Sequence, residues 1–161
     1  MAAPPSIFAI LDLPVTIKVV DIGANPIDGE PPYAPLLAAG RADLVGFEPN
    51  REALARLLRM KGPHETYLPL AVGDGKRHTL HHCQAQGMTS LLEPNPAVLD
   101  LFHGFADWGR VVRTEEVDTV RLDDVKESEG LDLLKIDIQG AELMVFQNAT
   151  RRLADALVIH T

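Results

Sequence analysis

Three features of this sequence together predict an α/β fold on a mainly parallel sheet flanked by helices. Short runs rich in β-branched and aliphatic residues recur at Ile17–Ile22, Asp43–Phe47 and Leu131–Ile138. Each is followed by a Gly- or Pro-punctuated loop or turn and then a segment with helical spacing, the rhythm of βαβ units. A length of 161 residues suits one domain, and 46% hydrophobic with 24% charged residues is the mix of a chain that buries a core.

The elements follow in order. Ile17–Ile22 (IKVVDI) reads as a buried strand closing on Gly23. After a loop holding Asn25, Pro26, Gly29, Pro31 and Pro32, Tyr33–Ala39 makes a short helix stopped by Gly40. Asp43–Phe47 is a second strand, and Asn50 is positioned to cap the helix Arg51–Lys61, whose apolar stripe ends at Gly62-Pro63. Thr66–Val72 reads as a third strand, with Gly73-Asp74-Gly75 turning the chain into Arg77–Cys83. From Gln84 to Asp107 the sequence is loop-rich around a short helix at Ala97–Phe102. Val111–Leu122 alternates as one or two strands, and Asp123 caps a helical turn. Leu131–Ile138 (LDLLKIDI) is again a buried strand, Gly140–Ala149 is helical by spacing, and Ala156–Ile159 opens a final strand. The chain stops at Thr161 with no helix to cover that edge, so the domain is expected to be incomplete at its C-terminal edge. The organisation is a 1–15 N-terminal extension and a 16–161 domain.

Composition narrows the partners. Fifteen Lys and Arg against 23 Asp and Glu give a net charge of −8, the wrong sign for gripping nucleic acid or an anionic membrane. Met1–Pro14 carries no Lys or Arg and is interrupted by Asp12 and Pro14, so neither a signal peptide nor a spanning helix is expected there. A single cysteine, Cys83, cannot form an intrachain disulfide and points to the cytoplasm. His78, His81, His82 and Cys83 match no closed zinc spacing, so no metal is expected.

Three constellations carry chemistry. Asp21-Ile22-Gly23-Ala24-Asn25 leaves the first strand into a loop holding Gly29, where a sheet of this kind binds ligands at its strands' carboxyl ends. Glu48 ends the second strand, where a carboxylate accepts from both hydroxyls of a nucleoside ribose. The bland reading is a tight turn and a solvated strand end. Lys135, Asp137 and Gln139 alternate along one strand face, the polar face of a site or of a solvated edge. Trp108 reads as a packing anchor, and Glu142 as an acid in a helix's first turn.

The segments VVDIGAN (Val19–Asn25), GFEPN (Gly46–Asn50), AVGDG (Ala71–Gly75), RLDDV (Arg121–Val125) and LLKIDIQGAELMVFQNA (Leu133–Ala149) resemble the FkbM family of S-adenosylmethionine-dependent methyltransferases. The resemblance implies a class I methyltransferase, Rossmann-like fold, of which this chain would hold about five core strands. It implies methyl transfer, typically to a hydroxyl oxygen, with a small-molecule or glycan acceptor. Asp21, Gly23 and Asn25 would lie beside the methionine part of S-adenosyl-L-methionine, with Ala24 and Gly29 also among the cofactor-binding residues. Glu48 would hold the ribose, Asp74 would approach the adenine, and Asp137 with Gln139 would face the reacting end. Asp137 or His160 would take the acceptor's proton. Gly29 comes two places later than the family's usual glycine, so that loop is expected to be longer or differently bent.

Two other readings stand beside this one: a catalytically silent nucleoside-binding fragment or assembly partner, and an NAD-dependent oxidoreductase. The second lacks the G-x-G-x-x-G loop that rests a diphosphate on a helix N-terminus.

Overall fold

The computed structural model describes residues 15–25 and 29–161. The expectations for residues 1–14 and for the path of residues 26–28 lie outside the described residues. In chain order the first elements are β1 (Ile17–Ile22), α1 (Ala34–Ala38), β2 (Ala42–Phe47), α2 (Arg51–Met60), β3 (Glu65–Leu68), β4 (Ala71–Val72) and β5 (Arg77–Cys83). Short helices α3 (Pro96–Leu99) and α4 (Phe105–Trp108) lead to β6 (Val111–Val120), β7 (Leu133–Ile136), α5 (Glu142–Gln147), α6 (Thr150–Ala154) and β8 (Val158–His160).

Five strands form one sheet in the order β3-β2-β1-β7-β8, and every neighbouring pair is parallel. Period-two alternation sends successive side chains to opposite faces. Val20, Ile22, Val45, Phe47, Leu134 and Ile136 therefore pack on one face with Leu131, Val145 and Ala149. Val19 and Leu44 turn to the other face, against Tyr33, Leu36 and Leu37. Burial of a side chain such as Phe47 or Ile136, both fully enclosed, is worth about 1.5–3 kcal/mol. Both faces are covered, as an all-parallel sheet requires.

The segment expected as one strand at Thr66–Val72 is two, β3 and β4, belonging to different sheets. Pro69 stands at the break; lacking an N–H, it cannot continue a ladder. Nor do β4 and β5 pair with each other across Gly73–Gly75. The long strand β6 lies between them, parallel to β4 and antiparallel to β5. This three-stranded sheet carries one irregularity: the register shifts between His82 and Cys83, so Cys83 pairs with Val111 and Val112 has no opposite residue.

The strand expected over Leu131–Ile138 is confined to β7, and Asp137 and Gln139 lie beyond its end rather than along its face. Asp137 N–H still donates to Ile22 O at 3.1 Å. Gln139 and Gly140 then adopt positive φ, 58° and 101°, which turns the chain off the sheet and into α5.

Candidate functional site

Strand register places Tyr67, Gly46, Asp21, Lys135 and His160 in one row across the parallel sheet. Residues paired this way send side chains to the same face. At the centre Asp21 is 1% exposed and its two oxygens are divided. Tyr33 Oη donates to Oδ2 at 2.5 Å, while Lys135 Nζ sits 3.0 Å from Oδ1 and donates to Gly23 O at 2.9 Å. Burial pushes the Asp21 carboxyl above its usual range, with the Lys135 ammonium opposing that shift. Burial, and then the Asp21 charge, push the Tyr33 phenol far up, so it stays a donor.

Gly23 ends the row's central strand. Its φ of +82° is a conformation that side chains avoid, and a Cβ there would run into the Asp137 carbonyl oxygen. The bend is held by Gly23 and Ala24, whose N–H groups both donate to Phe47 O at 3.1 Å. Gly46 is required for another reason: a Cβ would meet the Tyr67 ring at 2.5–2.7 Å.

Glu48, directly after β2, is 6% exposed. Asn50 N–H donates to its Oε1 at 2.8 Å, and the Asn25 backbone gives it a second hydrogen bond. Burial nevertheless pushes this carboxyl above its ordinary value. The same Asn50 caps α2, its Oδ1 accepting from Glu52 and Ala53 N–H at 3.0 Å each. The cap thus fixes the helix start and the carboxylate together.

These groups open onto a cavity of about 820 Å³, within the range of small-molecule sites. Asp21, Gly23, Ala24, Asn25, Gly29, Glu48, Asp137, Gln139 and His160 all line it. Asp137 and His160 are exposed at neighbouring strand ends, and Gln139 Nε2 donates to Asp137 Oδ1 at 2.6 Å. Asp74, expected near the adenine, is not among the walls. Its Oδ1 pairs with His78 Nε2 at 2.7 Å and accepts from Lys76 N–H at 3.0 Å, and the His78 bond chiefly holds its pKa down to about 2. Its carboxylate is taken up by closing the turn; Val72, at the end of β4, is the residue of this segment that reaches the cavity.

Several wall and support residues were not singled out as site residues by the sequence. Tyr33 reads there only as the start of a helix, and nothing local marks its reach to Asp21. Lys135 stands in the sequence as one of three alternating polar residues, and nothing there marks its bonds to Asp21 and the Gly23 carbonyl. Ser90 is different: with Met88 and Thr89 it reads from the sequence as a loop lining the acceptor side or merely solvated, and it is buried on the wall, its Oγ donating to Gln139 O at 2.7 Å and tying the loop after β5 to the β7 end. His82, Cys83, Val112 and Arg113 bring the second sheet to the wall. Glu142, in the first turn of α5, accepts Ile138 N–H on its Oε1 at 2.9 Å. Trp108, expected as a packing anchor, is 49% exposed and contacts Phe105 at the surface, ring centroids 5.2 Å apart. Among the described residues no group of three His, Cys, Asp or Glu side chains forms a metal-holding cluster. Among the same residues no helix is long and apolar enough to cross a membrane.

Comparison with curated proteins and with solved structures returns no match. The family model of the methyltransferase FkbM domain matches residues 21–160, from the buried aspartate of β1 to the last residue of β8. The matched span contains the whole cavity wall, and the parallel sheet flanked by helices is consistent with a class I methyltransferase fold. This chain belongs to the FkbM methyltransferase family.

Proposed function

We propose that the chain is an S-adenosylmethionine-dependent methyltransferase acting on a hydroxyl oxygen of a small molecule or glycan. The observation that carries this reading is Glu48, a buried carboxylate on the cavity wall beside the Gly23 bend. Among the described residues it has no cation at ion-pair distance, and burying an acid without one is unfavourable. Two backbone N–H groups hold it in place, and its remaining acceptor capacity suits a pair of ribose hydroxyls. Gly23 and Ala24 line the cavity at the bend after β1, where Gly23 brings backbone without a side chain to the wall, which suits the approach of the cofactor's amino-acid part. The residues that would hold the cofactor are Glu48, Gly23, Ala24, Asn25 and Gly29.

When bound, S-adenosylmethionine supplies an activated methyl group on a sulfonium centre. The chain's own work is to hold a hydroxyl in line, exclude water and receive a proton. Asp137 is the base of this proposal: it lies at the carboxyl end of β7, and Gln139 anchors Oδ1 while Oδ2 faces no described partner. His160, at the end of neighbouring β8, is the second candidate. The net charge of −8 disfavours nucleic acid and anionic membranes as partners, and the single thiol Cys83 fits the cytoplasm. The test is methyl transfer from labelled S-adenosylmethionine to a panel of hydroxyl-bearing metabolites and glycans. Labelled product that disappears on Asp137→Asn supports the reading; transfer to nitrogen or carbon acceptors alone refutes the hydroxyl assignment.

A further inference from the structure

The charged groups of the cavity wall are segregated. The wall's carboxylates, Asp21, Glu30, Glu48 and Asp137, belong to the parallel sheet or to the segments leaving its strands, whereas the guanidinium of Arg113 and the imidazole of His82 belong to the second sheet. Lys135 offers no free charge, being held by Asp21 and the Gly23 carbonyl. Adjacent strand residues normally face opposite sides, yet Val112 and Arg113 both line the cavity. The register shift opposite them accounts for this, because a β-bulge re-aims the side chains beside it.

Arg113 is also oriented. Its Nη1 pairs with Glu115 Oε2 at 2.9 Å and its Nη2 meets His82 Nε2 at 2.9 Å. Those contacts engage two of the five donors a guanidinium carries and leave the others for a ligand. Glu115 is 48% exposed and is not part of the wall, so water screens its hold on the cation. A continuous path joins this wall to the reacting end. His81 and Ser90 exchange backbone hydrogen bonds at 2.8 and 3.2 Å, and Ser90 Oγ binds Gln139 O.

We infer that the acceptor carries an oxyanion group, carboxylate or phosphate, received by Arg113, which His82 and Glu115 orient, while its hydroxyl lies at Asp137. This deepens the methyltransferase reading and rests on it. Bidentate recognition of planar or tetrahedral oxyanions is what a fixed guanidinium does well. An oxyanion there would also keep the acceptor's hydroxyl end directed toward the strand ends.

The test uses the full chain, ¹⁵N-labelled and saturated with S-adenosylhomocysteine. Inorganic phosphate and acetate are titrated separately, following the Arg113 Nε–H and His82 ring signals by NMR. Saturable shifts are expected with at least one anion, and the stronger of the two identifies the group. Arg113→Gln is expected to weaken that binding about tenfold or more, without changing affinity for S-adenosylhomocysteine. Arg77→Gln, which removes an exposed cation paired with Asp118 away from the cavity, is expected to leave it unchanged. Shifts that never saturate, binding that survives Arg113→Gln, or equal loss in Arg77→Gln would each overturn the inference. If S-adenosylhomocysteine itself fails to bind, the cofactor reading falls, and the same anion titration on the free chain still decides whether the Arg113 wall holds an oxyanion.

Discussion

Asp21 and Lys135 are register partners across the β1–β7 ladder, and the ammonium that neutralises the buried carboxylate also holds the carbonyl of Gly23. One residue on β7 thereby sets the charge beneath the cavity and the shape of its floor. A carboxylate this enclosed is tolerated only while its partners stay in place. Lys135→Met is expected to destabilise the fold by about 3–5 kcal/mol in chemical denaturation, because it strands a buried charge. Adding Asp21→Asn should recover much of that loss. Additive losses in the double variant would show that the pair is not coupled.

Gly23→Ala combines a left-handed backbone with a collision against the Asp137 carbonyl. A loss of about 2 kcal/mol or more is expected, together with loss of S-adenosylhomocysteine binding. Gly40 has a similar φ but open space where its Cβ would go, so Gly40→Ala should show a smaller loss and keep ligand binding. Equal effects at the two glycines would mean that backbone strain alone, without the contact to Asp137, decides the outcome.

Glu48 makes stability and binding pull apart. Burial raises its carboxyl above the ordinary 4.5, so the folded state holds that proton more tightly than the unfolded chain. Its contribution is therefore most favourable below the ordinary value and declines as pH rises through the raised one. Glu48→Gln should remove this slope and melt higher than wild type at neutral pH, while binding S-adenosylhomocysteine more weakly. Thermal melts across that pH window check the sign; a lower melting temperature for the variant at neutral pH would contradict it.

Asp74 behaves in the opposite sense. Its folded carboxyl is lowered from 3.8 to about 2, chiefly by the His78 hydrogen bond. The stability it contributes is present above 3.8 and is lost as pH falls toward about 2. Asp74→Asn should flatten that acid limb and leave ligand affinity intact, since Asp74 lies off the cavity. A large drop in S-adenosylhomocysteine affinity would return this turn to the binding site.

Asp137→Asn is expected to slow transfer to a hydroxyl by about 10²–10⁴-fold with ligand affinity preserved. Single-turnover rates with labelled cofactor measure it. An unchanged rate would pass the role to His160, whose substitution by Gln would then carry the loss.

Much of this was legible in the sequence because it is local. The β-branched runs gave β1, β2 and β7, since buried parallel strands need apolar residues on both faces, and Asn50 announced its helix through cap chemistry. Glu48 and the Gly23 bend followed from their places at strand ends. Long-range register was not legible: no local pattern says that Asp21 lies opposite Lys135, or that Tyr33 reaches back to it. The split at Pro69 was readable in principle, from a missing N–H, but the apolar residues around it masked the break. The second sheet escaped for the same reason as the register, since inserting β6 between β4 and β5 depends on pairing across tens of residues. Hence Arg113 and His82 gave no sign of sharing a wall with Glu48.

The most direct test of the central claim is calorimetric titration of S-adenosylhomocysteine into the wild-type chain and Glu48→Ala, with NAD as the comparison ligand. Saturable binding of S-adenosylhomocysteine to wild type is expected, with a loss of about tenfold or more in the variant and no binding of NAD. Equal affinity in the two proteins, or saturable binding of NAD alone, would contradict that claim.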